Sequence, residues 1–334
     1  MVVATAVALV ATLPAQAVVG DPVRPDGATQ SFSSGEGASE GNADYDKETN
    51  YRDSQNEATR NACHRSKKAW SRQAKTSAGA YESIGELADR WDAGMDYHLI
   101  ACSGARTYNI LRDPENGELA QVHKGYLDQN TTMVTISIGG NDSRFSYVIQ
   151  KCLISYGSGS CQDKLDKPFE NKPMSEALPE LITQVVKTDI LAAVEEIHRK
   201  APKAKILLMG YPKLISGDAS FLRLAGLGLS KESNDWLNTV AAHLTSEMRS
   251  VGEIARSKGI DARFSDPTWA FEGKGVCGNP ESIHGMVKTL TDSDNTIKDW
   301  PLLKAYGLSA QSFHPKISGA RLYADAMEAS IGGW

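Results

Sequence analysis

The stretch Met133-Val134-Thr135-Ile136-Ser137-Ile138-Gly139-Gly140-Asn141-Asp142 decides the fold. Its first six residues are apolar or β-branched, which predicts a strand. Gly139, Gly140 and Asn141 then suit a turn after the strand, because Gly and Asn tolerate positive φ. Asp142 reads as a helix cap rather than a catalytic acid. Working outward, Tyr97 to Ala101 predicts a shorter strand. Ile206 to Met209 is a continuous apolar run of the kind buried in parallel sheets. Between the strands, Leu178 to Lys200 sets Ile182, Val186, Ile190, Val194 and Ile197 along one helical stripe. Pro179 falls in its first turn, where proline is tolerated, and Ala201-Pro202 ends it. Asn234 to Lys258 repeats the pattern with Trp236, Val240, Leu244, Val251 and Ile254. Strands alternating with helices imply a parallel sheet covered on both faces. The reading is one α/β domain, a three-layer α/β/α sandwich, with active residues gathered where strands end.

The 334 residues are 41% hydrophobic and 23% charged, enough for a sizeable core. A net charge of -5 argues against a nucleic-acid partner, since no basic excess is available to neutralise phosphates. The densest basic cluster, Arg65, Lys67 and Lys68, reads as a solvated helix face. Met1 to Leu13 is almost wholly apolar and precedes Ala15-Gln16-Ala17, a small-x-small cleavage pattern. Residues 1–17 therefore read as a secretory signal peptide and 18–334 as the folded domain, secreted and with no transmembrane segment. Residues 18–62 are polar and rich in Gly, Ser, Asn, Asp and Glu, and most of them read as loop. Five cysteines fit an oxidising compartment. Cys63, Cys102, Cys152 and Cys161 allow two disulfides in three connectivities, leaving Cys277 as the odd one. No C-x-x-C pair occurs, and the spacings suggest no zinc ligand set. No metal or cofactor is expected.

Three segments carry chemistry when taken in order. Ser31-Phe32-Ser33-Ser34-Gly35-Glu36-Gly37 offers a nucleophile, Gly139 to Asp142 a donor turn, and Ser312-Phe313-His314-Pro315 a base. A serine hydroxyl attacks poorly until a base lies within hydrogen-bond reach, and His314 can take that proton and return it to the leaving group. Gly37-Ala38-Ser39-Glu40-Gly41 matches G-x-S-x-G, but that motif needs a buried strand before it, and Phe32 to Glu36 is polar and glycine-bearing. Ser39 is set aside on that ground. Cys277 with His284 as a thiol nucleophile is set aside because no matching oxyanion segment is evident.

With Cys102-Ser103-Gly104-Ala105 added, these segments resemble the SGNH hydrolase superfamily, the GDSL lipases and esterases, of the secreted actinobacterial type. Cys63-His64-Arg65-Ser66 and the apolar run ending at Gly210 share the likeness, which covers most of the chain after residue 30. The resemblance implies a flavodoxin-like sheet and hydrolysis of acyl esters through an acyl-serine intermediate, with Ser31 as nucleophile and His314 as base. It implies an oxyanion hole from the backbone N–H groups of Ser31 and Gly104 and the side-chain amide of Asn141. It implies the disulfides Cys63–Cys102 and Cys152–Cys161; relatives often have a third, for which Cys277 lacks a partner around 216–229. Two departures stand out. Thr29-Gln30 replaces the usual Gly-Asp, and Gln311 replaces an aspartate three residues before the histidine. The Gln311 backbone carbonyl is expected to orient His314, leaving a Ser31–His314 dyad. Lipid acyl esters, short-chain esters or acetylated polysaccharide are the substrate classes, the chain acting as a monomer, with loops 38–62 and 153–174 shaping the entrance. The rival reading is a degenerate, non-catalytic fold that binds carbohydrate or a surface.

Overall fold

A computed structural model describes residues 3–7, 32–41, 43–50, 62–76, 80–155, 159–217, 228–288, 309–332 and 334. Five strands form one sheet: β1 (Val3–Val7), β2 (Met95–His98), β3 (Met133–Ile136), and later β6 (Lys205–Met209) and β7 (Ala262–Ser265). The order is β2-β1-β3-β6-β7 and every neighbouring pair is parallel. A two-stranded antiparallel ribbon, β4 (Leu165–Asp166) and β5 (Lys172–Pro173), lies outside it. The helices are α1 (Trp70–Gln73), α2 (Ile84–Asp89), α3 (Thr107–Leu111), α4 (Phe145–Ile154), α5 (Met174–Leu181), α6 (Lys187–Lys200), α7 (Lys231–Ser257) and α8 (Ile317–Ile331). α6 packs on α3 and α7, while α8 packs on α1 and against β7. The chain is an α/β sandwich around a parallel sheet, as the alternation of strands and helices predicts.

The core follows the sequence pattern closely. Ile182, Val186, Ile190, Val194 and Ile197 are all fully buried. On β6, Ile206 to Met209 are buried on both faces, the environment that a continuous apolar run requires. The first long helix starts earlier than its stripe suggests, at Met174, so Pro179 sits inside α5 instead of in its first turn. A π-helical turn, Ile182–Val186, then joins α5 to α6. The strand at Tyr97 is shifted towards the N-terminus, and β7 has no strong alternation to announce it.

β1 is an unexpected element. Val3–Val7 lies within the stretch read as a signal peptide, yet it holds the slot between β2 and β3. Thr5 is in register with Tyr97 on one side and Met133 on the other. The cleavage pattern at 15–17 lies outside the described residues.

β3 delivers the decisive turn. Gly139 has φ of 106°, and a Cβ there would stand 2.7 Å from Ile190 Cδ1. Both the left-handed backbone and the buried stripe of α6 therefore exclude a side chain. We expect Gly139→Ala to lose about 1–3 kcal/mol. Urea unfolding measures this, and an unchanged midpoint would show that the turn is not constrained by α6.

Candidate active site

In an all-parallel sheet the carboxyl ends of the strands share one edge, and the loops leaving that edge build the site. The turn from Phe32 to Ala38 is fixed there. Ser33 Oγ accepts from the Ser137 N–H at 3.2 Å and donates to the Ser137 carbonyl at 3.3 Å, one residue beyond β3. The Phe32 ring lies 5.1 Å from the His314 ring and edge-on to Tyr211 at 5.3 Å. Tyr211 follows β6, and its hydroxyl accepts the Gly140 N–H at 3.2 Å. Gly37 has φ of 83°, and a Cβ there would stand 2.7 Å from His314 Cβ. The backbone can approach the histidine this closely only because residue 37 is glycine. Ser31 lies outside the described residues, but its chain neighbour Phe32 is against the His314 ring.

His314 is buried on a turn that pairs with a preceding loop. The His284 N–H donates to the His314 carbonyl at 2.8 Å, and the Phe313 N–H to the His284 carbonyl at 3.0 Å. The histidine is oriented differently from expectation. His314 Nδ1 lies 3.1 Å from the Ser312 carbonyl, while the Gln311 carbonyl accepts the backbone N–H of His314 at 3.0 Å. Phe313, at φ of 63°, reverses the chain between 312 and 314 and so turns the Ser312 carbonyl onto the ring. The carbonyl at the ring is thus that of Ser312, not the Gln311 carbonyl expected from the sequence, which takes the backbone N–H instead. A carbonyl only accepts, so Nδ1 carries the proton and Nε2 is the basic nitrogen. Nε2 has no hydrogen-bond partner among the described residues. Burial holds the His314 pKa down to about 4, against a smaller opposing pull from the Glu36 charge and backbone carbonyls. The ring is therefore neutral at neutral pH, the state a general base needs.

Asn141 and Gly104 are brought together. Asn141 is buried and donates one amide hydrogen to the Ala105 carbonyl at 2.8 Å. An amide has two such hydrogens, so the second is available for an oxyanion. Gly104 is half-buried one residue away. Asp142 caps as the sequence suggests, but across the chain: its carboxylate accepts from the Thr107 N–H at 3.0 Å and the Thr107 hydroxyl at 2.6 Å, at the start of α3.

Sequence reasoning passed over Glu36, although it lies inside the quoted serine segment. Its carboxyl group is 1% exposed. Glu36 Oε2 accepts from His64 Nδ1 at 2.8 Å and from the Ser103 hydroxyl at 2.9 Å, and Oε1 accepts from the Tyr45 hydroxyl at 3.2 Å. Burial pushes this carboxyl up, but the charge and hydrogen bond of His64, with help from His314 and Ser103, bring its pKa down to about 2. The available signal was the pairing of Glu36 with the Cys63-His64 segment, and spacing alone does not reveal it.

The other expectations resolve locally. Ser39 is no nucleophile elbow: it sits on a bend and its hydroxyl accepts the Asp44 N–H at 3.1 Å. Arg65 is not on a solvated helix face; it is buried on a loop, bonds the Ala101 carbonyl at 2.9 Å and pairs with Glu118. The disulfides are Cys63–Cys102 and Cys152–Cys161. The first ties the His64 loop to the Ser103-Gly104 segment. Cys277 is in neither, and its N–H donates to Glu281. No cluster of metal-ligating side chains occurs among the described residues.

A family model for the GDSL-like lipase/acylhydrolase family matches residues 44–269, and the chain belongs to that family and is an ester-bond hydrolase. A lipase from Streptomyces rimosus is 26% identical over 230 residues, 65% of this chain and 74% of that protein. Lipase 1 of Streptomyces coelicolor is 27% identical over 190 residues, 57% and 60% of the two chains. Among solved structures, the extracellular lipase of Streptomyces rimosus superposes with a TM-score of 0.60 at 21% identity, over 90% of this chain and 97% of the other. Phospholipase A1 from Streptomyces albidoflavus gives 0.59 at 21% identity, over 90% and 96%. These likenesses confirm the fold. The family match includes neither Ser31 nor His314, and of the two only His314 lies among the described residues.

Two depressed pKa values set a pH dependence. Between pH 6.5 and about 4 the unfolded chain protonates His314 and the folded chain does not; between 4.5 and about 2 the same holds for Glu36. In both windows the unfolded state binds more protons, so stability falls as pH falls. We expect the urea midpoint to drop from pH 7.5 to pH 5 and His314→Gln to flatten that dependence. The acid limb of kcat/KM should lie near pH 4; a limb near 6.5 would contradict a buried, neutral base.

Proposed function

We propose that the chain hydrolyses carboxylic acyl esters by a serine mechanism in which Ser31 attacks and His314 is the base. The observation that carries the reading is the buried His314 Nε2, open among the described residues and flanked by Phe32, the residue after Ser31. In the forward step the Ser31 hydroxyl proton passes to Nε2 as Oγ bonds to the acyl carbon. The same proton then leaves with the alcohol, and water repeats the sequence on the acyl-serine. The Asn141 amide and the backbone N–H groups of Gly104 and Ser31 receive the developing oxyanion. The Ser312 carbonyl keeps the ring in the right tautomer, so no third acidic member is required at position 311.

The substrate is an acyl ester of a lipid, a short-chain alcohol or a glycan, and the protein acts outside the cell as a monomer. Two disulfides support export, and no helix among the described residues is long and apolar enough to cross a membrane. Cleavage after Ala17 would remove β1, whose backbone bonds to both β2 and β3 then need another segment, because unpaired strand groups inside a sheet are costly. The intact mass of the exported protein decides this point. A chain beginning at Val18 supports the leader, whereas a chain retaining Val3–Val7 shows that β1 is a permanent strand.

Hydrolysis of a p-nitrophenyl ester series tests the reaction. Ser31→Ala should lose at least about a thousandfold in kcat, and Asn141→Ala about 100- to 1000-fold. A fluorophosphonate probe should label the wild type and not Ser31→Ala. Full activity in Ser31→Ala would overturn the assignment, and a folded wild type that neither labels nor hydrolyses any ester would return the non-catalytic binding fold.

A further inference from the structure

We propose that Glu36 is a positioning residue for His314: its buried negative charge stabilises the imidazolium that forms during catalysis, the task an aspartate at position 311 would perform. The inference rests on the reading of His314 as the base.

The geometry places the charge beside the histidine without a direct bond. Glu36 directly precedes Gly37, the residue whose missing side chain makes room for His314 Cβ. His284 clamps the same two segments, its Nε2–H donating to the Gly37 carbonyl at 2.9 Å and its backbone N–H to the His314 carbonyl at 2.8 Å. The Gly37 N–H donates to the Tyr45 hydroxyl at 2.9 Å, and that hydroxyl donates on to Glu36. The carboxylate is thus immobilised by His64, Ser103 and Tyr45, and all three contacts donate to it. An oxygen pair surrounded by donors has no reason to take up a proton, so the charge persists through the reaction.

Position 311 cannot do this work. Gln311 is neutral, and its backbone carbonyl accepts the His314 N–H rather than the ring. The other titratable neighbour of His314 is His284, whose own pKa burial holds below the usual value. Beyond it, Lys316 and Glu281 pair with each other at 2.7 Å. Among the described residues, Glu36 is therefore the negative group whose field reaches the ring. When Nε2 accepts the Ser31 proton, the new positive charge is buried and needs a compensating anion. Glu36 supplies it while keeping its own electron pair; no proton passes to it, and the proton on Nε2 leaves with the alcohol.

The test is the pH profile of Glu36→Gln, an isostere without charge, with active sites counted by fluorophosphonate titration. We expect kcat per active site to fall about 10- to 100-fold and the acid limb of kcat/KM to move to lower pH by about half a unit or more. Glu36→Asp, which keeps the charge, should recover most of kcat. An unchanged limb and unchanged kcat per site, with only fewer folded molecules, would overturn the inference and make Glu36 structural. If Glu36→Gln does not fold, Tyr45→Phe decides, since it cuts the Gly37 tether and leaves the charge. A charge role predicts less than about a threefold loss in kcat, and a tenfold loss would overturn it. The underlying assignment fails separately: an active His314→Ala would remove the base itself, whatever Glu36 does.

Discussion

A buried carboxylate must be hydrogen-bonded, and meeting that requirement at Glu36 joins distant parts of this chain. His64, Ser103 and Tyr45 all turn their donors towards it. Leaving a buried hydrogen-bonding group without its partner typically costs about 1–3 kcal/mol, and more when the group is charged. The Cys63–Cys102 bridge holds two of those donors at fixed separation. The Phe32–Ala38 turn, the His64 loop and the Ser103-Gly104 segment are therefore tied together, and Ser33 joins them to Ser137 at the end of β3.

This body meets His314 across the carboxyl edge of the sheet. Contact is by backbone more than by side chain: Gly37 presses on His314, and His284 bonds to both. A base held by main-chain carbonyls has its tautomer and direction fixed without a neighbouring acid. Desolvation keeps it neutral until a proton arrives. In the proposed mechanism two tasks are divided: the Ser312 carbonyl orients the ring, and the separately anchored Glu36 carboxylate compensates its charge.

Much of the architecture was legible. The buried stripe of α6 and the apolar run of β6 follow directly from periodicity, because burial on one or both faces imposes a pattern on neighbouring residues. The Gly139-Gly140-Asn141 turn was legible for the same local reason. β7 was not, since Ala262–Ser265 is short and its strand state depends on β6 beside it. β1 was not anticipated as a strand, because an apolar run reads the same whether a membrane-targeting machinery or a sheet receives it.

The sequence by itself determined the α/β alternation, the order of the reactive segments and the residue types able to act as nucleophile, base and oxyanion donor. These are properties of local pattern and of side-chain chemistry, and they need no partner to be read. Only the tertiary structure decided which carbonyl orients His314, which cysteines pair, and that Glu36 is an ion in the interior. Each of those depends on contacts between residues separated by 9 to 67 positions or on the sign of one backbone angle at Phe313. Spacing along the chain carries no information about such contacts until the sheet has brought its loops to one edge.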